Sequence, residues 1–101
     1  MFKKIIIPKN EIEYRQDCID NKYLINEGNR AIGLFAITKD QMIPTQISPQ
    51  DVLFYSLEGV LEINFDDKSF VLEKDNMILV PKTSAYTLKV IENTKILTVR
   101  L

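Results

Sequence analysis

The sequence contains no histidine. That absence excludes imidazole acid–base catalysis, Ser-His and Cys-His nucleophile pairs, and every metal site built on imidazole. Cysteine is almost as scarce. Cys18 stands alone, so no internal disulfide can form and sites built on several thiolates are excluded. With no histidine to activate it, Cys18 reads as a semi-buried apolar residue rather than a nucleophile. A single thiol fits a reducing compartment, so the expected location is the cytoplasm. A metal would need an all-oxygen site, and the chain has no spaced carboxylate loop of that kind.

Excess charge of one sign is missing too. Thirteen Lys and Arg against 14 Asp and Glu leave a formal net charge of −1, and Lys3-Lys4 is the only adjacent basic pair. Nucleic acid and anionic membranes both need a concentrated basic surface. With no helix-turn-helix pattern either, neither is expected as a partner. Long hydrophobic runs are also lacking. Ile5, Ile6 and Ile7 end at Pro8, short of the ~7–15 apolar residues of a secretory core and of the ~20 of a membrane span. What remains is a composition of 46% hydrophobic and 27% charged residues over 101 positions, which is that of one globular domain spanning residues 1–101.

From about residue 30 onward, short runs rich in Ile, Val, Leu, Phe and Tyr alternate with turn residues. This predicts a many-stranded all-β architecture. Strands are expected over 30–38, 42–46, 52–58, 60–65, 68–72, 77–80, 85–91 and 95–100. No window there keeps a 3.6-residue apolar period, so helices are not expected. Leu61, Ile63 and Phe65 oppose Glu62 and Asn64; Tyr86, Leu88 and Val90 oppose Thr87 and Lys89; Leu97 and Val99 oppose Thr98 and Arg100. Asp66-Asp67 reads as a hairpin turn with Asp67 left-handed. In residues 1–29, Phe2–Ile7 is expected as an edge strand stopped by Pro8. The segment 10–20 reads as a loop or short helix, and Glu27-Gly28-Asn29 as a turn into the barrel over 30–101. Many short antiparallel strands with one buried face must close or pair to cover their edges, and a jelly roll does so.

The stretch from Val52 to Pro81 resembles the cupin family. The resembling elements are Leu57-Glu58-Gly59, Leu61-Glu62-Ile63, Asp66-Asp67 and Ile78-Leu79-Val80-Pro81, and the similarity covers residues 34–100, about two-thirds of the chain. It implies a double-stranded β-helix, or jelly-roll barrel, whose members are often dimers. In the family's first motif a Gly precedes His-x-His, a Glu and a second Gly; in its second, a Gly precedes Pro-x-Gly and a His. Counted from Gly59, the first motif falls on Asp40, Gln46, Ser48 and Val52; counted from Pro81, the second falls on Asp75, Thr83 and Tyr86. The spacing is therefore intact while the four ligand positions carry Gln46, Ser48, Val52 and Tyr86. An amide, a hydroxyl, a hydrocarbon and a phenol are poor ligands for a first-row metal. Neither a metal nor another cofactor is expected.

Alternation points Tyr86 into the barrel, with Gln46 or Ser48 in reach of its hydroxyl if the family geometry holds. These polar groups could satisfy one another and simply fill the lumen. The functional alternative is a ligand cavity lined by Gln46, Ser48 and Tyr86 together with Phe35, Met42, Phe54, Tyr55 and Met77. That reading makes the chain a metal-free, non-catalytic binding or sensor module for a small molecule. A second reading is a metal-independent isomerase or cyclase using Tyr86, Asp51 or Glu58 as base, each of which would need a large pKa shift. A third is a structural homodimer joined through Phe2–Ile7.

Overall fold

The computed structural model describes residues 2–101. It contains seven β-strands among those residues, all paired antiparallel: β1 (Asp20–Glu27), β2 (Arg30–Ile37), β3 (Met42–Gln46), β4 (Val52–Asn64), β5 (Ser69–Leu72), β6 (Met77–Val80) and β7 (Tyr86–Arg100). Helix is limited to one 3-10 turn at Pro8–Asn10. The expected all-β jelly roll is what the chain adopts.

Two long strands organise it. β4 and β7 pair along their whole length, from Val52 opposite Arg100 to Asn64 opposite Thr87. Their ladder is broken by register shifts between Ser56 and Leu61, and bulges of this kind bend and twist a strand. The bend separates two half-sheets. One joins β1, β2, the second half of β7, the first half of β4 and β6; the other joins β3, the first half of β7, the second half of β4 and β5. The halves fold face to face over one core, in which Val52, Phe54, Ile37 and Ile96 meet Leu61, Ile63, Leu88 and Val90.

The sequence suggested separate strands on either side of Gly59 and of Glu92–Thr94. Instead the chain runs through both corners without a turn. Gly59 has φ +90°, and a Cβ there would lie 2.6 Å from Thr94 Oγ1 and 2.7 Å from Thr94 Cα, so only glycine lets the strands cross this closely. Thr94 is fully buried and its hydroxyl donates to Glu92 O at 2.7 Å and approaches Val60 O at 3.1 Å. Two carbonyls at the bulge thereby gain a partner.

The N-terminal region departs most from expectation. Phe2–Ile7 forms no strand, and Phe2, Ile5 and Ile7 are exposed. Pro8 opens the 3-10 turn, and the chain then crosses the outer face of the first half-sheet. There Ile12 is buried with Leu34 and Ala36, flanked by Tyr14, Leu24, Leu57 and Leu97. β1 itself lies where no strand was expected, because its mixed sequence DNKYLINE lacks a clean apolar alternation. Cys18 is exposed rather than semi-buried. Glu27-Gly28-Asn29 does make the turn, with Gly28 at φ +54°. Asp67 is not among the left-handed residues; the turn at Asp66-Asp67 is closed by Phe65 N–H donating to Lys68 O at 2.8 Å. No helix among the described residues is long and apolar enough to cross a membrane.

Candidate functional site

The bend in β7 brings its two ends to one cavity. Tyr86 opens the strand, and Ile96, Thr98 and Arg100 are successive residues on one face of its far end. Together with residues of β1 to β4 they line a cavity of about 380 Å³. Its walls are mostly apolar, with Phe35, Ile37, Ile43, Val52, Phe54, Leu88 and Ile96. Asn21, Tyr23, Gln46, Ser48, Thr98 and Arg100 supply polar groups, and no Asp or Glu lines it. Gly33 makes room for part of this wall: a Cβ there would come within 3.0 Å of both Tyr23 and Phe35. Those two rings meet edge to face at 6.0 Å, as Phe54 and Tyr86 do at 5.5 Å.

Of the expected lumen residues, Phe35, Gln46, Ser48, Phe54 and Tyr86 line this cavity. Met42, Tyr55 and Met77 do not, and the reason is the two-residue period of a strand. Tyr55 follows Phe54 and so faces the other way, pairing with Leu97 and donating its hydroxyl to Asp75 Oδ1 at 3.0 Å. Met77 sits opposite Tyr55 on that outer face. Met42 is exposed beside Lys89, while its neighbour Ile43 turns inward next to Leu88. Conversely, Thr98 and Arg100 belong to the cavity although an apolar-in reading of β7 would turn them out. The outer face is apolar here because Leu97 packs under Ile12 and Tyr14. Both faces of this strand end are covered, and alternation cannot say which is the lumen.

The expected polar cluster is not knit together. Gln46 is exposed and its amide donates to Pro44 O at 3.1 Å. The Ser48 hydroxyl accepts from Gln50 N–H at 3.1 Å. Neither engages Tyr86. Burial pushes the Tyr86 phenol up from its ordinary pKa, and the nearby Arg100 charge only partly offsets this. Tyr86 is therefore a neutral hydrogen-bond donor near pH 7.

The other two candidate bases lie elsewhere. Glu58 Oε2 accepts from Tyr14 at 2.6 Å on the outer face. Asp51 Oδ1 accepts from Lys82 N–H at 2.8 Å. A more open depression of about 1020 Å³ lies between β5 and β6, where apolar Phe70 and Met77 are joined by the charged Asp66, Asp67, Lys68 and Asp75, and none of Gln46, Ser48 and Tyr86 lies in it.

The left-handed residues carry a further regularity. Asp40, Asp75 and Thr83 have φ of +71°, +68° and +64°. These are the positions that the spacing aligned with motif glycines, and positive φ is what glycine supplies there. The four positions aligned with metal ligands, Gln46, Ser48, Val52 and Tyr86, all line the one cavity. Their chemistry does not fit a first-row metal: one is a hydrocarbon, two have their polar groups turned to the backbone, and the fourth is a neutral phenol. No group of three His, Cys, Asp or Glu among the described residues could hold a metal ion.

A bent antiparallel jelly roll with its cavity between two half-sheets is the architecture of a cupin barrel, and solved structures agree. A conserved Streptococcus pyogenes protein of unknown function superposes with a TM-score of 0.92 at 24% identity, covering 100% of this chain and 89% of its own. A cupin superfamily protein from Desulfitobacterium hafniense gives 0.91 at 22%, covering 98% and 92%. The EutQ protein of Clostridium difficile gives 0.72 at 19%, covering 84% and 63%. At these identities the likeness establishes the cupin fold. The sequence matches no protein-family model and no curated protein.

Proposed function

We propose that the chain is a non-catalytic small-molecule-binding module, of the kind that carries or senses a ligand. The observation that supports this most directly is the cavity of about 380 Å³, with apolar walls and a few convergent polar groups. Small-molecule sites combine these same two features, with volumes of roughly 300–1,000 Å³. Catalysis by a metal-independent route draws less support. Burial raises the Tyr86 pKa further from neutral pH and keeps the phenol protonated, and the two carboxylate candidates hold backbone or tyrosine groups outside the cavity. A general base needs both reach and a matched pKa.

The reading is tested by native mass spectrometry of the protein purified under mild conditions, with thermal unfolding against a library of small metabolites. A co-purifying or stabilising small molecule is expected. Narrowing the cavity with Thr98→Phe should abolish that binding while the fold persists. If no compound binds and Thr98→Phe merely stabilises the barrel, the cavity is packing space and the proposal fails.

A further inference from the structure

The sequence has three arginines. Arg15 and Arg30 are largely exposed, and each has a carboxylate partner, Asp20 at 3.4 Å and Glu27 at 2.8 Å. Arg100 is the reverse. It is half-buried at the cavity rim, yet it pairs with no carboxylate among the described residues. The cavity lining offers it none. What it does have is the Tyr23 ring, 5.8 Å from the guanidinium carbon. That contact steadies the side chain and leaves the charge unneutralised.

A cation drawn partly out of water without an anion is costly, and structures normally supply the partner. Here a ligand can supply it. The guanidinium offers a planar fork of donors that matches a carboxylate two bonds at a time. Tyr86, neutral and buried on the opposite end of the same strand, makes no hydrogen bond with Gln46 or Ser48 and has a donor to give. Apolar surface from Phe54, Leu88 and Ile96 lies between. One cation, no anion and greasy walls describe a single ligand class.

We infer that the cavity binds a small monocarboxylate, its hydrocarbon or aromatic body on the apolar wall and its head on Arg100. This rests on the binding reading above and adds to it the charge of the ligand. A phosphate ester, carrying up to two negative charges, would be left half neutralised by the single arginine.

Matched probes separate the alternatives. Benzoate and hexanoate are compared with benzamide and hexanamide, and with phenyl phosphate, by calorimetry and ligand-observed NMR at neutral pH. Charge-assisted hydrogen bonds predict that the carboxylates bind about tenfold or more tighter than their amides. Arg100→Gln should erase that preference by bringing acid affinity down to the level of the amides, while Arg100→Lys retains part of it. Thermal unfolding of both variants shows that the fold persists. Equal binding of acids and amides overturns the carboxylate inference and leaves the binding module standing. Tighter phenyl phosphate also overturns it. Failure of both carboxylates at millimolar concentration also overturns it, and the library screen with Thr98→Phe then decides the binding reading by itself.

Discussion

Tyr86 and Arg100, the first and last residues of β7, face the same cavity because the strand folds back at Glu92–Thr94. Neither Gln46 nor Ser48 is the partner of the Tyr86 hydroxyl, since both are engaged with backbone groups. Tyr86→Phe therefore breaks no bond to them. Its thermal and denaturant stability should match the parent within about 0.5 kcal/mol. A loss above about 1 kcal/mol in urea unfolding would mean that the hydroxyl is held by the protein after all.

Gly59 is the least replaceable residue of the corner. Any side chain meets Thr94 while the backbone holds φ +90°. Gly59→Ala combines steric conflict with backbone strain and should cost about 3 kcal/mol or more. Chemical denaturation would show this as a midpoint shift, or as a protein that no longer folds. Tolerance of alanine would require the two long strands to stand further apart.

Thr83 offers the opposite experiment. A β-branched residue at φ +64° is strained. Its hydroxyl makes only an exposed bond to the adjacent Lys82 O at 2.6 Å, and its long-range role is carried by the backbone, whose N–H donates to Ser48 O at 2.8 Å. Thr83→Gly keeps that bond and relieves the strain, for a net gain of about 0.5–1 kcal/mol after glycine's entropy cost. Asp75→Gly should gain less despite its similar φ, because Asp75 also receives the Tyr55 hydroxyl. A melting-temperature comparison of the two variants checks both the sign and the order.

Acid should loosen the N-terminal segment before the barrel. The hydrogen bond from Lys22 holds Glu11 below its ordinary 4.5, and the Glu13 N–H does the same for Asp20, ordinarily 3.8. A carboxylate depressed in the folded state stabilises fully above its unfolded pKa, and that contribution is lost as pH falls through the folded one. Both carboxylates sit half-buried at the surface, within reach of solvent screening, so the effect is local and modest. Hydrogen exchange at Ile12 and Glu13, corrected for intrinsic rates, should accelerate below about pH 4.5, while Val90 and Leu61 stay protected. Simultaneous loss of protection at all four would mean that the segment is not a separable cover.

Much of the fold was legible because the strands after residue 30 announce themselves through β-branched and aromatic runs. The motif spacing also found its mark, since Asp40, Asp75 and Thr83 all turned out left-handed. Two kinds of information were not in the pattern. Strand continuity through Gly59 and through Glu92–Thr94 depends on a tertiary crossing, which local turn residues mimic. The inner face of β7 near its end was hidden because Leu97 and Ile96 are both covered, one by Ile12 and Tyr14, the other by the second half-sheet. Arg100 consequently fell on the face opposite Leu97 and Val99, away from the apolar one. Tyr55 could have been excluded by alternation alone, because it and Phe54 cannot share a lumen.

The continuous pairing of β4 with β7 also bears on how fast the chain folds and which part waits longest. Asn64 and Thr87 lie at the end of that ladder where the intervening loop is shortest, and Val52 and Arg100 at the end where it is longest. Loop-closure entropy favours nucleating at the short end and zipping toward the other. The rim that holds Arg100 is then the last to form and the first to open. An occupant anchored there would slow the unfolding limb of a stopped-flow chevron and leave the refolding limb nearly unmoved.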